Sequence, residues 1–431
     1  MKKLYKSIFI LVCVLSVGCA SEATSSVEDK NSTDEYQGKT FPYTVTDATA
    51  ERYAETMSES TRRVLTSYMG YRPEENPLFT NFKYTPLKGL EYPDDGTLSR
   101  RDPSKIIKVG DKYYMWYTRR ETKCAPIGAK NAAKCDDVTP STDWDLAEIW
   151  YATSSDGFTW EEQGVAVKRP EKPMPGFRSI STPDILVWKG RYYLYYQAFS
   201  EPSGLRGDYC PVSMAHSDSP DGPWTYHEGE VISTGEEGAW NQFAIHDPYP
   251  LVHEGRVYIY YKSAFNRPHR LWVGQGLATA DSPEGPFTHH ENNPILASGH
   301  EFSGFPFKGG IAVILTTDGM ERNTIQYADD WINFRIASIV EYPPVAAAPY
   351  CADAFTNTVD GAGIEWGVCH VVGRGKYHLE IARFDCSLTQ EITEPIFKTT
   401  RPHPTTEVLM KNKLPQGIMQ KRLEKAKSNA Q

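Results

Sequence analysis

The sequence predicts an all-β chain, a five-bladed β-propeller with an N-terminal helical appendage, and three observations lead there. First, DPSKIIKVGDKYYMWYTRR (102–120), TPDILVWKGRYYLYYQAFS (182–200) and DPYPLVHEGRVYIYYKSAF (247–265) share one plan. Each opens on a turn, runs through a short apolar strand, turns at Gly and enters an aromatic strand. Second, a matching half follows each: IWYATSSDGFTWEEQG (149–164), VSMAHSDSPDGPWTYHEG (212–229) and QGLATADSPEGPFTHHEN (275–292). Third, weaker copies at 308–340 and about 351–386 bring the repeats to five. About four strands per repeat, five times over, is the propeller pattern, in which radial repetition hides sheet edges; a tandem of β-sandwiches is the rival.

Within each repeat the pairs Gly110-Asp111, Gly190-Arg191 and Gly255-Arg256 mark hairpins between strands of alternating pattern. Ahead of the repeats, residues 44–70 carry no Pro and many helix formers. Tyr53, Met57, Val64, Leu65 and Tyr68 fall on one face, which predicts one helix, or two broken near Ser58. Residues 1–19 have a positive start at Lys2 and Lys3 and a short apolar stretch, Ile8 to Val17, the plan of an export signal. The run LSVGC places Cys19 where a lipoprotein signal peptidase leaves a lipidated first residue, against an ordinary cleaved signal with an incidental Cys. Residues 20–43 then read as a flexible tether, 44–75 as a helical dimerisation segment, 76–403 as the propeller and 404–431 as a Lys-rich tail.

A chain of 431 residues supports one large domain with appendages. The net charge of −9 argues against nucleic acid, whose phosphates demand a basic field. A neutral polysaccharide makes no such demand. The 26 Tyr and 10 Trp suit half-buried sheet positions and equally suit stacking on sugar rings, so they do not decide between the two. Beyond Cys13 and Cys19, six cysteines remain, and export makes disulfides chemically reasonable; Cys124 with Cys135, flanking a short insertion, is the pairing expected, and Cys351 with Cys369 a second. No CxxC occurs, which argues against a thiolate zinc site.

In a propeller the innermost strands line the axis, so residues opening each repeat converge on one funnel. Asp102, Asp184 and Asp247 stand at those openings, and His300 and Glu301 precede the fourth repeat. Glycoside cleavage needs a carboxylate to activate water or attack carbon, and a proton donor for the leaving oxygen. Asp before Pro also simply caps turns, and from the repeat alone both readings stand.

With these residues in view, the chain resembles glycoside hydrolase family 117, the α-1,3-(3,6-anhydro)-L-galactosidases. The resemblance rests on SRRDPSKIIKVGDKYYMWYTRR, STPDILVWKGRYYLYYQ, AIHDPYPLV, SGHEFSGFPFKGG and the N-terminal helical segment. It extends distantly to five-bladed hydrolases of arabinans and fructans, which share three axial acids. The resemblance implies hydrolysis of neoagarobiose and neoagaro-oligosaccharides. It implies Asp102 as general base, Asp247 as the acid that orients the sugar, Glu301 as third acid and His300 as proton donor. An imidazole suits that role, since its pKa lies near neutrality and a neighbouring carboxylate raises it. Adjacent strand residues alternate faces, so only one of His300 and Glu301 should aim at the sugar. By the same resemblance Trp144, Thr182, Gln197 and His246 contact substrate. Loop packing, turn chemistry and a satisfied interior amide are the plainer readings of the first three. Asp184 and Lys262 are funnel candidates without a role. SESTRRV (58–64) is similar to the family's domain-swap motif, implying a homodimer, with Ser60 where the family usually has Ala. A divalent cation near the site is an implied option with no ligand set marked in the sequence.

Overall fold

The computed structural model describes residues 57–66, 78–93, 95–206, 208–236, 239–242, 244–264, 273–356, 360–372 and 379–391. The export signal, the tether, most of the 44–75 segment and the 404–431 tail lie outside them.

Among the described residues, twenty-one strands form five antiparallel sheets. Blade I runs outward from β2 (Leu98–Arg101) and β3 (Ile107–Val109), two halves of one inner strand, through β4 (Lys112–Glu121), β5 (Glu148–Ser154) and β6 (Glu161–Val167). Blade II is β7 (Ser179–Trp188), β8 (Arg191–Phe199), β9 (Val212–Ser217) and β10 (Thr225–Tyr226). Blade III is β11 (His246–His253), β12 (Arg256–Ala264), β13 (Val273–Ala280) and β14 (Thr288–His289). Blade IV is β15 (Ser303–Phe307), β16 (Gly310–Leu315), β17 (Thr324–Ala328) and β18 (Arg335–Ile339). Blade V is β19 (Val345–Pro349), β20 (Ile364–Val372) and β21 (Leu379–Leu388). Its outer edge is taken by β1 (Lys83–Pro86), which pairs β21 from Lys83–Asp385 to Pro86–Ala382. The start of the propeller thereby closes its end, and the last blade gains its fourth strand.

The aromatic strands owe their composition to their place. β4, β8 and β12 are second from the axis and covered on both faces by neighbouring blades, so successive side chains enter different cores. Met115 and Tyr117 pack with Trp366 and Val368, while Tyr114 and Trp116 pack with Ile185 and Leu194. Tyr195 joins Ile259 and Tyr261, whereas Tyr260 turns the other way onto Phe302. Burial of each such ring stabilises the fold by on the order of 2 kcal/mol. The hairpin residues lie one place earlier than the sequence suggested in two blades: Lys189-Gly190 and Glu254-Gly255 both have positive φ, as does Lys308-Gly309 in blade IV. Two consecutive left-handed residues match the twist of the flanking strands.

Helix α1 (Glu59–Thr66) is the described part of the appendage, and it begins where the break was expected. Ser58 caps it, accepting the Thr61 N–H at 3.2 Å. The helix docks on blades III and IV. Ser58 and Thr61 hydroxyls donate to Pro294 O, Ser60 Oγ accepts the Ala297 N–H, and Arg63 grips the buried Glu321 through two nitrogens. Ser60, the departure from the family motif, thus carries a docking bond.

The expected disulfides are not formed: Cys124, Cys135, Cys210, Cys351, Cys369 and Cys386 are free thiols. The insertion between Cys124 and Cys135 is instead tied down by backbone bonds, Ile127 N–H to Pro140 O and Gly128 N–H to Ser141 O. Cys369 points into the blade V core, and Cys351 lies against Asp353.

Candidate active site

Each inner strand except that of blade IV carries one left-handed residue at the same place. Asp102, Thr182, Asp247 and Ala346 have φ of 50, 48, 50 and 48°. The ladder slips around them, between Ser181 and Asp184, His246 and Tyr249, Val345 and Ala348, and across the gap dividing β2 from β3. A non-glycine residue here is strained by about 1–2 kcal/mol, and the bulge re-aims its side chain. This corrects the placing of Asp184 among the residues that open the repeats. Thr182, not Asp184, is equivalent to Asp102 and Asp247, because the Pro follows the bulge residue in all three.

Hydrogen bonds fix these residues from the neighbouring blade. The Thr182 N–H donates to Thr118 Oγ1 (2.7 Å), the Asp247 N–H to Gln197 Oε1 (3.2 Å), and the Asp102 N–H to His370 Nε2. Thr118, Gln197 and His370 occupy one register position, opposite the residue before each bulge (Arg101, Ser181 and Val345). In blade III that position is Lys262, opposite His246. Having no acceptor, it makes an ion pair with Asp247 at 2.5 Å.

Asp102, Thr182, Asp247 and Glu301 line one cavity of about 40 Å³ on the axis, together with Ala346 from blade V. Burial works against the Asp102 charge, but Arg101 (Nε to Oδ2, 2.7 Å) and His370 outweigh it and hold the carboxyl below its ordinary value. Thr118 and Thr182 hydroxyls approach the same oxygen at 3.4 Å. Burial pushes Glu301 up, and the nearby Asp247 and Asp102 add to that against the opposing cations His300 and Lys262. Burial and Lys262 push His300 down, but Glu301 and Asp318 prevail and its pKa is raised. His370 is driven by burial to about 4 and is neutral.

His300 and Glu301 lie before β15 begins, so strand alternation does not govern them. Their side chains turn to the same place, His300 Nε2 lying 3.6 Å from Glu301 Oε1. The His300 side chain is 43% exposed and that of Glu301 15%. The Glu301 carboxylate accepts the Ala346 N–H at 3.3 Å. His300 therefore faces the mouth and Glu301 the wall.

The remaining expected contacts divide. Thr182 is on the cavity wall. Trp144 is half-buried with the Arg101 guanidinium 4.6 Å over its ring, which joins it to Asp102. His246 is held by the Asp208 carbonyl at 2.7 Å. Gln197 is buried behind Asp247 with its amide engaged on both sides, as a satisfied interior amide would be. Asp184 reaches the wall, but Lys105 Nζ occupies its carboxylate at 2.5 Å, and that ammonium also caps the Tyr249 ring at 3.6 Å. Sequence reasoning missed Arg101, His370, Lys105 and Asp318. Among the described residues no group of three or more His, Cys, Asp or Glu is placed to hold a metal ion.

This geometry can be set beside known proteins. The family pattern for glycosyl hydrolases family 43 matches residues 97–275. A family 117 glycoside hydrolase from the marine bacterium Zobellia galactanivorans is 55% identical, covering 77% of this chain and 96% of its own, with a TM-score of 0.70. The chain belongs to glycoside hydrolase family 117. A further solved glycoside hydrolase, 13% identical over 84% of this chain and all of its own, has a TM-score of 0.50 and shares the fold. No curated protein matches. This family 117 member is thus a propeller-fold glycoside hydrolase.

Proposed function

We propose that this family 117 hydrolase is exo-acting and releases 3,6-anhydro-L-galactose from the non-reducing end of neoagarobiose and neoagaro-oligosaccharides, with inversion. The observation that carries the reading is the convergence of Asp102, Asp247 and Glu301 on one axial cavity beneath His300. Asp102, kept ionised by Arg101, takes a proton from water, whose oxygen attacks the anomeric carbon. His300 gives its proton to the departing glycosidic oxygen on the other side, and Glu301 holds that imidazolium by charge. The Asp247–Lys262 pair orients the sugar. The lowered pKa of Asp102 suits a base and the raised pKa of His300 suits an acid.

The export signal with Cys19 supports a lipid-anchored protein of the periplasm or outer membrane, and the likeness of SESTRRV to a domain-swap motif supports a homodimer. Product analysis on a defined series tests the substrate: neoagaro-oligosaccharides alongside porphyran and carrageenan oligosaccharides and an arabinoside. Anhydrogalactose should appear from the neoagaro series alone. Cleavage confined to another glycoside would move the enzyme to that substrate, and calorimetric binding without products would make it a sugar-binding propeller.

A further inference from the structure

The loop after β16 is built to hold one side chain against His300. The Asp318 carboxylate accepts a hydrogen bond from His300 Nδ1. The backbones of the two loops brace each other around that contact: Gly299 N–H to Asp318 O at 2.9 Å, His300 N–H to Thr316 O at 3.1 Å, and a bridge between Ser298 and Gly319. They approach so closely that a Cβ on Gly319 would meet Ser298 Oγ at 2.4 Å, and one on Gly299 would meet Leu315 at 2.7 Å.

The tight turn has a cost. Thr317, β-branched, has φ of 54°, its hydroxyl oxygen is buried without a hydrogen-bond partner, and the Asp318 N–H folds back onto Thr316 O at 2.7 Å. A β-branched residue persists in this conformation only where its surroundings over-determine it, and such strain gathers at functional sites. Here the strained turn delivers Asp318 to His300.

We propose that Asp318 is the positioning residue of His300, fixing the ring through Nδ1–H so that Nε2 presents its proton to the leaving oxygen at the funnel mouth. The inference rests on the reading above that His300 is the proton donor. With Nδ1 committed to Asp318, the transferable proton is the one on Nε2, the nitrogen that faces Glu301 at 3.6 Å and Lys262 at 3.4 Å. Of the charged groups around the ring, Lys262 disfavours the imidazolium, while Glu301 and Asp318 favour it. Asp318 is the one of the three that also fixes the ring's orientation.

The test uses Asp318→Asn and Asp318→Ala in the full chain. Imidazole nitrogen NMR, with His300→Gln to assign the signal, should show His300 losing its proton at lower pH in both variants. On neoagarobiose kcat should fall by about 10²-fold for Asp318→Ala with KM within about twofold, and less for Asp318→Asn, whose amide oxygen still accepts from Nδ1. On an aryl glycoside of the same sugar, whose phenolate leaves without a proton, the loss should stay within about threefold. A merely structural role would depress both substrates together. Parallel losses, or a His300 titration unmoved by Asp318→Asn, would overturn the proposal. Should the wild-type enzyme cleave neither compound, the substrate reading fails, and the NMR titration still decides whether Asp318 governs His300.

Discussion

Lys262 Nζ stands 2.5 Å from the Asp247 carboxylate and 3.4 Å from His300 Nε2, so one half-buried cation separates an axial acid from the imidazole at the mouth. Burial opposes its charge, but Asp247 and Glu301 more than offset this and its pKa is raised. It is an ammonium throughout the neutral range, and it lowers both His300 and Glu301. Lys262→Met removes that influence, so the alkaline limb of the kcat/KM profile, set by loss of the His300 proton, should move to higher pH. Turnover should drop on the order of 10²-fold, because Asp247 loses the partner that aims it. A pH–rate profile checks both, and an alkaline limb left in place would contradict the assignment.

His370 gives a stability prediction with a defined sign. Its folded value of about 4 lies below the ordinary 6.5. Between those two pH values the unfolded chain binds a proton that the folded chain does not, so stability rises with pH through the window and is lost as pH falls through it. His370→Gln should flatten that dependence by one proton, about 1.4 kcal/mol per pH unit. The same variant frees the Asp102 N–H and should slow turnover. Urea midpoints at neutral and mildly acid pH measure the slope, and equal slopes in the two proteins would refute a neutral His370.

Lys105 and Asp184 are both almost fully buried, and each is the other's counter-charge. Lys105→Met alone leaves a buried carboxylate unpaired and should cost about 3–5 kcal/mol, whereas Lys105→Met with Asp184→Leu should recover most of it. Chemical denaturation of the two variants reads this directly. A single variant as stable as wild type would return Asp184 to the list of funnel groups.

Much of this was legible in the sequence, because radial repetition copies a pattern that can be seen by eye. The Asp-Pro and Thr-Pro openings and the aromatic runs fixed three blades. Blades IV and V were seen from their second strands onward, because SGFPF and VAAAP lack the acidic opening. The pairing of β1 with β21 joins residues about 300 apart and leaves no local mark. The ring of Thr118, Gln197, Lys262 and His370 was readable in principle: each follows an aromatic or apolar run, as in YYMWYT, YYLYYQ, VYIYYK and EWGVCH. Asp184 was misplaced because composition shows a carboxylate near an opening, whereas the bulge sets which residue turns to the axis. Asp318 carried no signal, since its partner is reached only through the bracing of two loops.

Asp102 as the water-activating base at a shared axial site is tested most directly by one comparison. Purified wild-type enzyme and Asp102→Asn are each incubated with neoagarobiose while proton NMR follows the anomeric signals. Wild type should release anhydrogalactose and galactose with inversion, and the variant, folded by circular dichroism, should be slower by about 10³-fold. Turnover of Asp102→Asn close to the wild-type rate would contradict it.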